Sequence, residues 1–265
     1  MTMKTNKNEY DFVLHYFAAG RLNTVKALRQ VKARAGVAAA VPIWRHSQWV
    51  AMAASVLALL AFGAYMMLMP ATVTLQTAET QQVFTLPDST RVTLAPHSTL
   101  SYKENDCRNV EMSGRIYYQV RHDASRPFDV QGEKSRVRVL GTQFEVDERP
   151  AASASVFVTG GKVLFAARHQ GDGIILTRGM KAVLSQGSSR PTLVEQPDIN
   201  DVAWATHKFH FASTPMDEVL RVLGEYYGKT FTASDTSKRL TGDFDARNGK
   251  QVVSVIEETL GIVIK

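Results

Sequence analysis

The sequence predicts a chain of four unlike parts: a short α-helical arm, one transmembrane helix, a mainly-β outer domain, and a small α+β module at the C-terminus. Three observations carry this. The run from Trp49 to Met69 holds no charge. After Pro70 the pattern switches to short alternating segments rich in β-branched and aromatic residues. Residues 204–265 then mix strand and helix signals.

The charge-free run, WVAMAASVLALLAFGAYMMLM, is relieved only by Ser55 and Gly63. As a helix it would cover about 30 Å, the thickness of a bilayer's hydrocarbon core. One charge at its centre would cost about 2.5–3.5 kcal/mol on insertion. A core helix of a soluble protein would show a polar face, and this segment has none. The flanks set its direction. No acidic residue occurs between Asp11 and Glu79, while Arg21, Lys26, Arg29, Lys32, Arg34 and Arg45 precede the run and no Lys or Arg follows it before Arg91. Basic flanks stay in the cytoplasm, so the N-terminus is expected inside and residues 70–265 outside. Trp44, Trp49 and Tyr65 suit interfacial positions. A cleaved signal peptide would have a shorter apolar core and a shorter lead, so the run is expected to remain as an anchor.

The net charge of +6 raises the question of nucleic acid. Much of it is the cluster beside the span, which orientation already explains, and no nucleic-acid partner is expected. The single Cys107 cannot form an internal disulfide, so the outer part must rely on its core.

The arm is residues 1–46 and the transmembrane part residues 47–69. From Glu9 to Ala19, the residues Tyr10, Val13, Leu14 and Phe17 follow helical spacing, and Gly20 ends the pattern. Asn23 would cap a second helix carrying Val25, Leu28 and Val31. Two such helices bury too little to be stable alone. Either they lie on lipid or they become ordered on a cytoplasmic partner; the aromatic stripe favours the partner, with Tyr10, Val13, Leu14 and Phe17 as its contact.

Residues 70–185 contain QVFTL, RVTLA, RNVEM, RIYYQV, FDV, RVRVL, QFEV, SVFV and KVLFA, separated by turn signals such as Pro87-Asp88-Ser89 and Gly160-Gly161. Many short, evenly spaced strands mean an all-β unit, a sandwich or a solenoid-like stack, and the sequence leaves both open. Residues 186–203 are polar, with two prolines, and read as a linker. In residues 204–265, His207–Phe211 alternates as a strand. Thr214 and Pro215 open a helix whose buried face is Met216, Val219, Leu220, Leu223 and Tyr227, closed by Gly228. Strands at Thr230–Ala233 and Leu240–Phe244, a helix over Lys250–Leu260 stopped by Gly261, and a last strand Ile262–Ile264 complete a β-α-β-β-α-β order.

No catalytic pattern emerges. HExxH, CxxC, G-x-S-x-G and Walker motifs are missing, and Gly171-Asp172-Gly173 reads as a turn. His207 and His210 stand at an odd offset on a strand and so point to opposite faces, which argues against a metal pair. Cys107 reads as inert, and His97, in a turn after Pro96, as structural or solvated. No enzyme activity, cofactor or metal is expected.

The β-rich stretch resembles the periplasmic domain of FecR-type anti-sigma factors. That family shows L-P-D-G-S-x-V-x-L-N, G-E-x-F-F-x-V, R-P-F-x-V, L-G-T-x-F-x-V and V-x-x-G-x-V in order. Here stand Leu86-Pro87-Asp88-Ser89-Thr90-Arg91-Val92-Thr93-Leu94, Gly114-Arg115-Ile116-Tyr117-Tyr118-Gln119-Val120, Arg126-Pro127-Phe128-Asp129-Val130, Leu140-Gly141-Thr142-Gln143-Phe144-Glu145-Val146 and Val158-Thr159-Gly160-Gly161-Lys162-Val163. Ser89 replaces the turn glycine, so a different turn type is expected; Arg115 replaces the glutamate, and Pro96 sits near the family's asparagine. Residues 204–265 resemble the C-terminal module of Bacteroidetes members, similar to the short domain shared by secretins and TonB-dependent receptors.

The resemblance implies a single-pass inner-membrane regulator, N-terminus cytoplasmic and C-terminus periplasmic. It would relay a signal from a TonB-dependent outer-membrane receptor to a cytoplasmic ECF sigma factor. The strand edges of the C-terminal module would take the receptor's signalling domain, with Phe209, Phe211 and Phe244 as candidate contacts. Flipping such a switch from 1:99 to 99:1 takes about 5.5 kcal/mol of differential affinity. One rigid span conveys little bending, so regulated proteolysis near the membrane is a further expectation, with Gly63 as a weak point. Finding only full-length chain in stimulated cells with target transcription on would contradict it. The alternative is a membrane-anchored periplasmic scaffold without a sigma partner; deleting residues 1–34 would leave its activity intact.

Overall fold

The computed structural model describes residues 17–18, 21–22, 24–35, 44–68, 70–149, 153–169 and 172–265. They fall in two compact units, Met1–Met69 and Pro70–Lys265. Tyr10, Val13 and Leu14 lie outside the described residues.

In the first unit, β1 (Phe17–Ala18) pairs with β2 (Arg21–Leu22), Phe17 opposite Leu22 and Ala18 opposite Arg21. This corrects the helix expected through Phe17. At these positions cross-strand pairing takes the place of the i→i−4 ladder. Helix α1 (Thr24–Arg34) follows where the second helix was expected. Helix α2 (Trp44–Leu68) has 25 residues, about 37 Å at 1.5 Å per residue. Its apolar window Trp49–Met66 is nowhere buried in protein. The Ser55 hydroxyl donates to the Met52 carbonyl at 2.8 Å, so its polar group is satisfied inside the helix and adds no cost in lipid.

The second unit opens with fourteen strands: β3 (Thr72–Gln76), β4 (Gln82–Thr85), β5 (Arg91–Leu94), β6 (Thr99–Lys103), β7 (Asp106–Ser113), β8 (Arg115–Gln119), β9 (Phe128–Gln131), β10 (Ser135–Val139), β11 (Gln143–Asp147), β12 (Ser153–Gly160), β13 (Lys162–Ala167), β14 (Ile174–Thr177), β15 (Lys181–Ser185) and β16 (Thr192–Leu193). They form two seven-stranded sheets, ordered β14-β13-β10-β9-β7-β6-β3 and β16-β15-β12-β11-β8-β5-β4. Each order is monotonic in sequence, because the chain lays a strand or a hairpin in one sheet, crosses, and lays the next in the other. The two shapes left open by the sequence are thus combined, a sandwich wound in solenoid order. The β7–β9 pair is parallel because β8 crosses to the opposite sheet between them; every other pair in the two sheets is antiparallel.

One apolar cluster fills the space between the sheets, drawn from alternate residues such as Val92 and Leu94 of β5, Val110 and Met112 of β7, and Val137 and Val139 of β10. A one-residue slip would turn each set outward, so burial fixes the register. The β4–β5 hairpin turns at Ser89, whose φ of 69° is left-handed. Ser89 therefore keeps the backbone conformation that suits glycine, contrary to the expectation of another turn type. Asp88 holds it there by accepting from the Thr90 amide (3.0 Å) and hydroxyl (2.9 Å).

A second core forms in the C-terminal part, from β17 (Lys208–Pro215), α4 (Met216–Tyr227), β18 (Arg239–Asp245) and α5 (Gly249–Leu260). β17 and β18 pair antiparallel, and a separate bridge joins Ala233 to Ile264. The N-cap of α4 is Pro215, one residue later than expected; Thr214 instead accepts the Ala212 amide at the bulge between Phe211 and Thr214 of β17. Gly228 and Gly261 close the two helices in left-handed conformation, φ 64° and 65°.

Candidate functional site

Two features of the unit Pro70–Lys265 can do more than hold a core: a polar seam where the C-terminal module meets the sandwich, and the open edge of β18.

The seam starts from residues expected as linker. Asp198 caps a 3-10 turn (Ile199–Val202) by accepting the Asn200 amide, and the short helix α3 (Ala203–Thr206) follows. Val202, Trp204 and Ala205 pack on Tyr117 and Phe157 of the sandwich. The Trp204 indole N–H donates to Glu145 Oε2 at 2.6 Å, and Arg115 Nε donates to the same oxygen at 2.8 Å. The Arg115 guanidinium lies 4.9 Å from the Trp204 ring centre and donates to the Asp201 carbonyl at 2.5 Å. Lys181 binds Asp201 at 2.6 Å. Arg115 thus sits at the centre of the docking, bonded to both Glu145 and Asp201.

Burial raises the Glu145 carboxyl above its ordinary value, with Arg115 and Trp204 pulling the other way. A raised folded-state pKa gives a contribution that is complete below the ordinary value and lost as pH rises through the folded one. Asp147 has the opposite sign. Burial pushes it up, but Arg149 outweighs this and holds it below its ordinary value, so its contribution is lost as pH falls. Glu145→Gln should therefore flatten the melting curve of residues 70–265 just above the ordinary glutamate range, by about 2–4 °C per kcal/mol, and leave the acid limb unchanged. Identical pH profiles for the two proteins would contradict this.

The open edge belongs to the β17–β18 ladder. On the outer side of β17, the Asn200 side chain accepts the His210 amide at 2.8 Å and donates to its carbonyl at 3.0 Å, imitating a strand. The His210 backbone N–H and C=O therefore point away from β18, and in this non-hydrogen-bonded pair those of the opposed Asp243 point away from β17. Among the described residues β18 has β17 as its one strand partner, so its outer N–H and C=O groups at Asp243 stay available.

The expected contact residues stand otherwise. Phe209 and Phe211 are fully buried, stacked 5.9 Å apart beneath α4 and α5, and Phe244 is half-buried beside Phe211. Their alternation with Lys208, His210 and Ala212 puts the aromatic phase against the helices. Phe209 and Phe211 are core, which corrects their reading as surface contacts; Phe244 packs against that core while partly exposed. His207 bonds Tyr226 (2.8 Å) and His210 bonds Asp243 (2.5 Å), so the two histidines are not brought together. No group of three metal-ligating side chains occurs among the described residues. Burial first, and the Asp88 carboxylate second, push the Cys107 thiol above its ordinary value, which leaves it less nucleophilic.

A buried ion pair was missed. Arg108 on β7 binds Asp88 at 2.6 Å with both side chains about 95% buried. Its Nε donates to the Arg126 carbonyl at 2.7 Å, its remaining nitrogens reach the Arg121 carbonyl, and its guanidinium lies 5.5 Å from the Phe128 ring. One side chain ties the Leu86-Pro87-Asp88 hairpin to the Arg126-Pro127-Phe128 segment. The signal was available: Arg108 shares the inward phase of Val110 and Met112.

Residues 73–164 match the family model described as "FecR protein". Two crystal structures of a candidate anti-sigma factor from Parabacteroides distasonis ATCC 8503, at 2.50 and 1.65 Å resolution, are similar at TM-scores of 0.48 and 0.47. Each is 21% identical and aligns with 73% of this chain and 98% of its own. The comparison with curated proteins finds no match.

Proposed function

Starting from a chain that carries a FecR-family domain over residues 73–164, we propose that it is a single-pass anti-sigma factor of the inner membrane. The observation that carries this reading is the charge-free stretch Trp49–Met66 of α2, exposed along its length and set between a basic N-terminal arm and that domain. A regulator built so has one end for each compartment. The arm, residues 1–46, binds an ECF sigma factor in the cytoplasm, with Tyr10, Val13, Leu14 and Phe17 supplying the apolar contact. The test is affinity capture with the arm from cytoplasm: a sigma factor recovered supports the reading, and capture without one contradicts it.

On the periplasmic side the partner is the signalling domain of a TonB-dependent receptor, received as an added strand on β18. The free edge supports this, because an added strand gains backbone hydrogen bonds in register and needs few side chains. A photo-crosslinker at Asp243, which is exposed, is expected to capture the receptor in substrate-treated cells; one at Asp217 on α4, away from the edge, is not. Equal yields at both positions would contradict strand addition.

A further inference from the structure

On the outer face of the sheet that holds β9, β10 and β13 there is a cleft of about 370 Å³, bordered by Arg136, Arg138, Leu164, Ala166, Arg168 and His169. The strand register makes it. Arg136 stands opposite Ala166 and Arg138 opposite Leu164, so two long cationic side chains flank a single methyl group. Arg168 extends the pairing beyond β13, its amide donating to the Lys134 carbonyl at 2.9 Å. The cations are held in place. Asp129, opposite Arg138 on β9, accepts from Arg138 Nε (2.8 Å) and Nη2 (3.0 Å) and from Arg136 Nη2 (3.2 Å). Arg168 Nη1 donates to the Gly132 carbonyl at 2.7 Å. A guanidinium has five N–H donors, so these bonds fix the three side chains and leave donors over. The Nε–Nη2 edge of Arg168, which suits a two-point bond to an oxyanion, makes no hydrogen bond among the described residues. The charges do not cancel. Among the described residues Asp129 is the one carboxylate within ion-pair distance of these arginines. Three guanidiniums against one carboxylate leave two positive charges at the cleft.

We propose that this cleft binds a phosphomonoester carried on a small polar body such as a sugar, the dianion seated between Arg136 and Arg168 above Ala166. A phosphate dianion matches the excess charge, whereas a lone carboxylate would leave half of it unmet. Guanidiniums also meet phosphate oxygens with paired N–H groups, where lysine would offer only a point charge. Asp129 and the Gly132 carbonyl already hold the arginines, so binding costs little side-chain freedom. The remaining space, walled by Leu164 and His169, receives the body that carries the phosphate, and the imidazole has one N–H to donate to it. The site gives the sandwich a ligand of its own, apart from the β18 edge and the N-terminal arm.

The test is calorimetric titration of the full chain, in uncharged detergent, with glucose 1-phosphate. About 0.15 M salt screens unspecific attraction. Saturable one-to-one binding is expected, at least ten-fold tighter than that of inorganic phosphate, with no heat from glucose. Arg136→Gln/Arg168→Gln should weaken it ten-fold or more, since charge-assisted hydrogen bonds are lost. Ala166→Leu, which fills the cleft and removes no charge, should do the same. Lys103→Gln, an exposed charge on β6, should change affinity less than two-fold. Absence of saturable binding, equal binding of sulfate, or an affinity that neither cleft variant lowers would overturn the proposal. Inorganic phosphate binding as tightly as glucose 1-phosphate would overturn the place given to the attached body and assign the cleft to the free ion.

Discussion

Replacing Arg108 by leucine is expected to destabilise residues 70–265 by about 3–5 kcal/mol, a fall in melting temperature of roughly 6–20 °C for a unit of this size. The size follows from what is left behind. Asp88 would remain buried with no counter-charge, and the Arg121 and Arg126 carbonyls would lose a donor. The β4–β5 hairpin would suffer most, since Asp88 also holds Ser89 in its left-handed turn. Removing both charges with Asp88→Leu/Arg108→Leu should recover part of the loss, because no charge is then stranded in the core. Arg138→Leu gives the contrast. Its pair with Asp129 lies on the surface, with the Arg138 side chain 46% exposed, and its loss should cost less than about 1 kcal/mol. An Arg108→Leu protein melting within two or three degrees of the unmodified one would contradict this account of the sandwich.

Tyr10→Ala with Phe17→Ala is expected to weaken sigma-factor capture by the arm at least 100-fold. Aromatic anchors at the centre of an interface are each worth about 2 kcal/mol or more on truncation, and two of them compound. Replacing Lys4 and Lys7 by glutamine, charges off the aromatic stripe, should change affinity only a few-fold and mainly through the association rate. Equal capture by the double-alanine arm would remove these residues from the contact, whatever the fate of the wider proposal. Phe17 pairs with Leu22 in an antiparallel ladder, so its own contribution does not depend on helical spacing.

How much was legible depended on the physics that set each feature. The long apolar helix could be read because exclusion of charge is a matter of composition and needs no partner. The strands could be read because burial on one side forces alternation. How the strands group into sheets could not, since both sheets of the sandwich show the same alternation and nothing local marks where the chain crosses from one to the other. At β17 the alternation of Lys208, Phe209, His210 and Phe211 was seen, but its meaning was inverted: two helices cover the aromatic face, leaving the polar one outside. The seam was invisible for another reason. Arg115, Glu145, Lys181, Asp201 and Trp204 come from separate elements, and only the wound topology brings them together. Thr214 looked like a helix cap because its side chain suits one, whereas the bulge inside β17 claims that hydroxyl first. Arg108 is the case that parity could have exposed.

The central claim is that the chain crosses the inner membrane once, with the arm in the cytoplasm and residues 70–265 in the periplasm. Fusing to Lys265 an alkaline phosphatase that folds only where disulfides form tests it most directly. High phosphatase activity in whole cells, with a cytosol-only fluorescent protein at the same site staying dark, is the predicted result. A bright fluorescent fusion and a silent phosphatase would contradict it, and with it the two-compartment role.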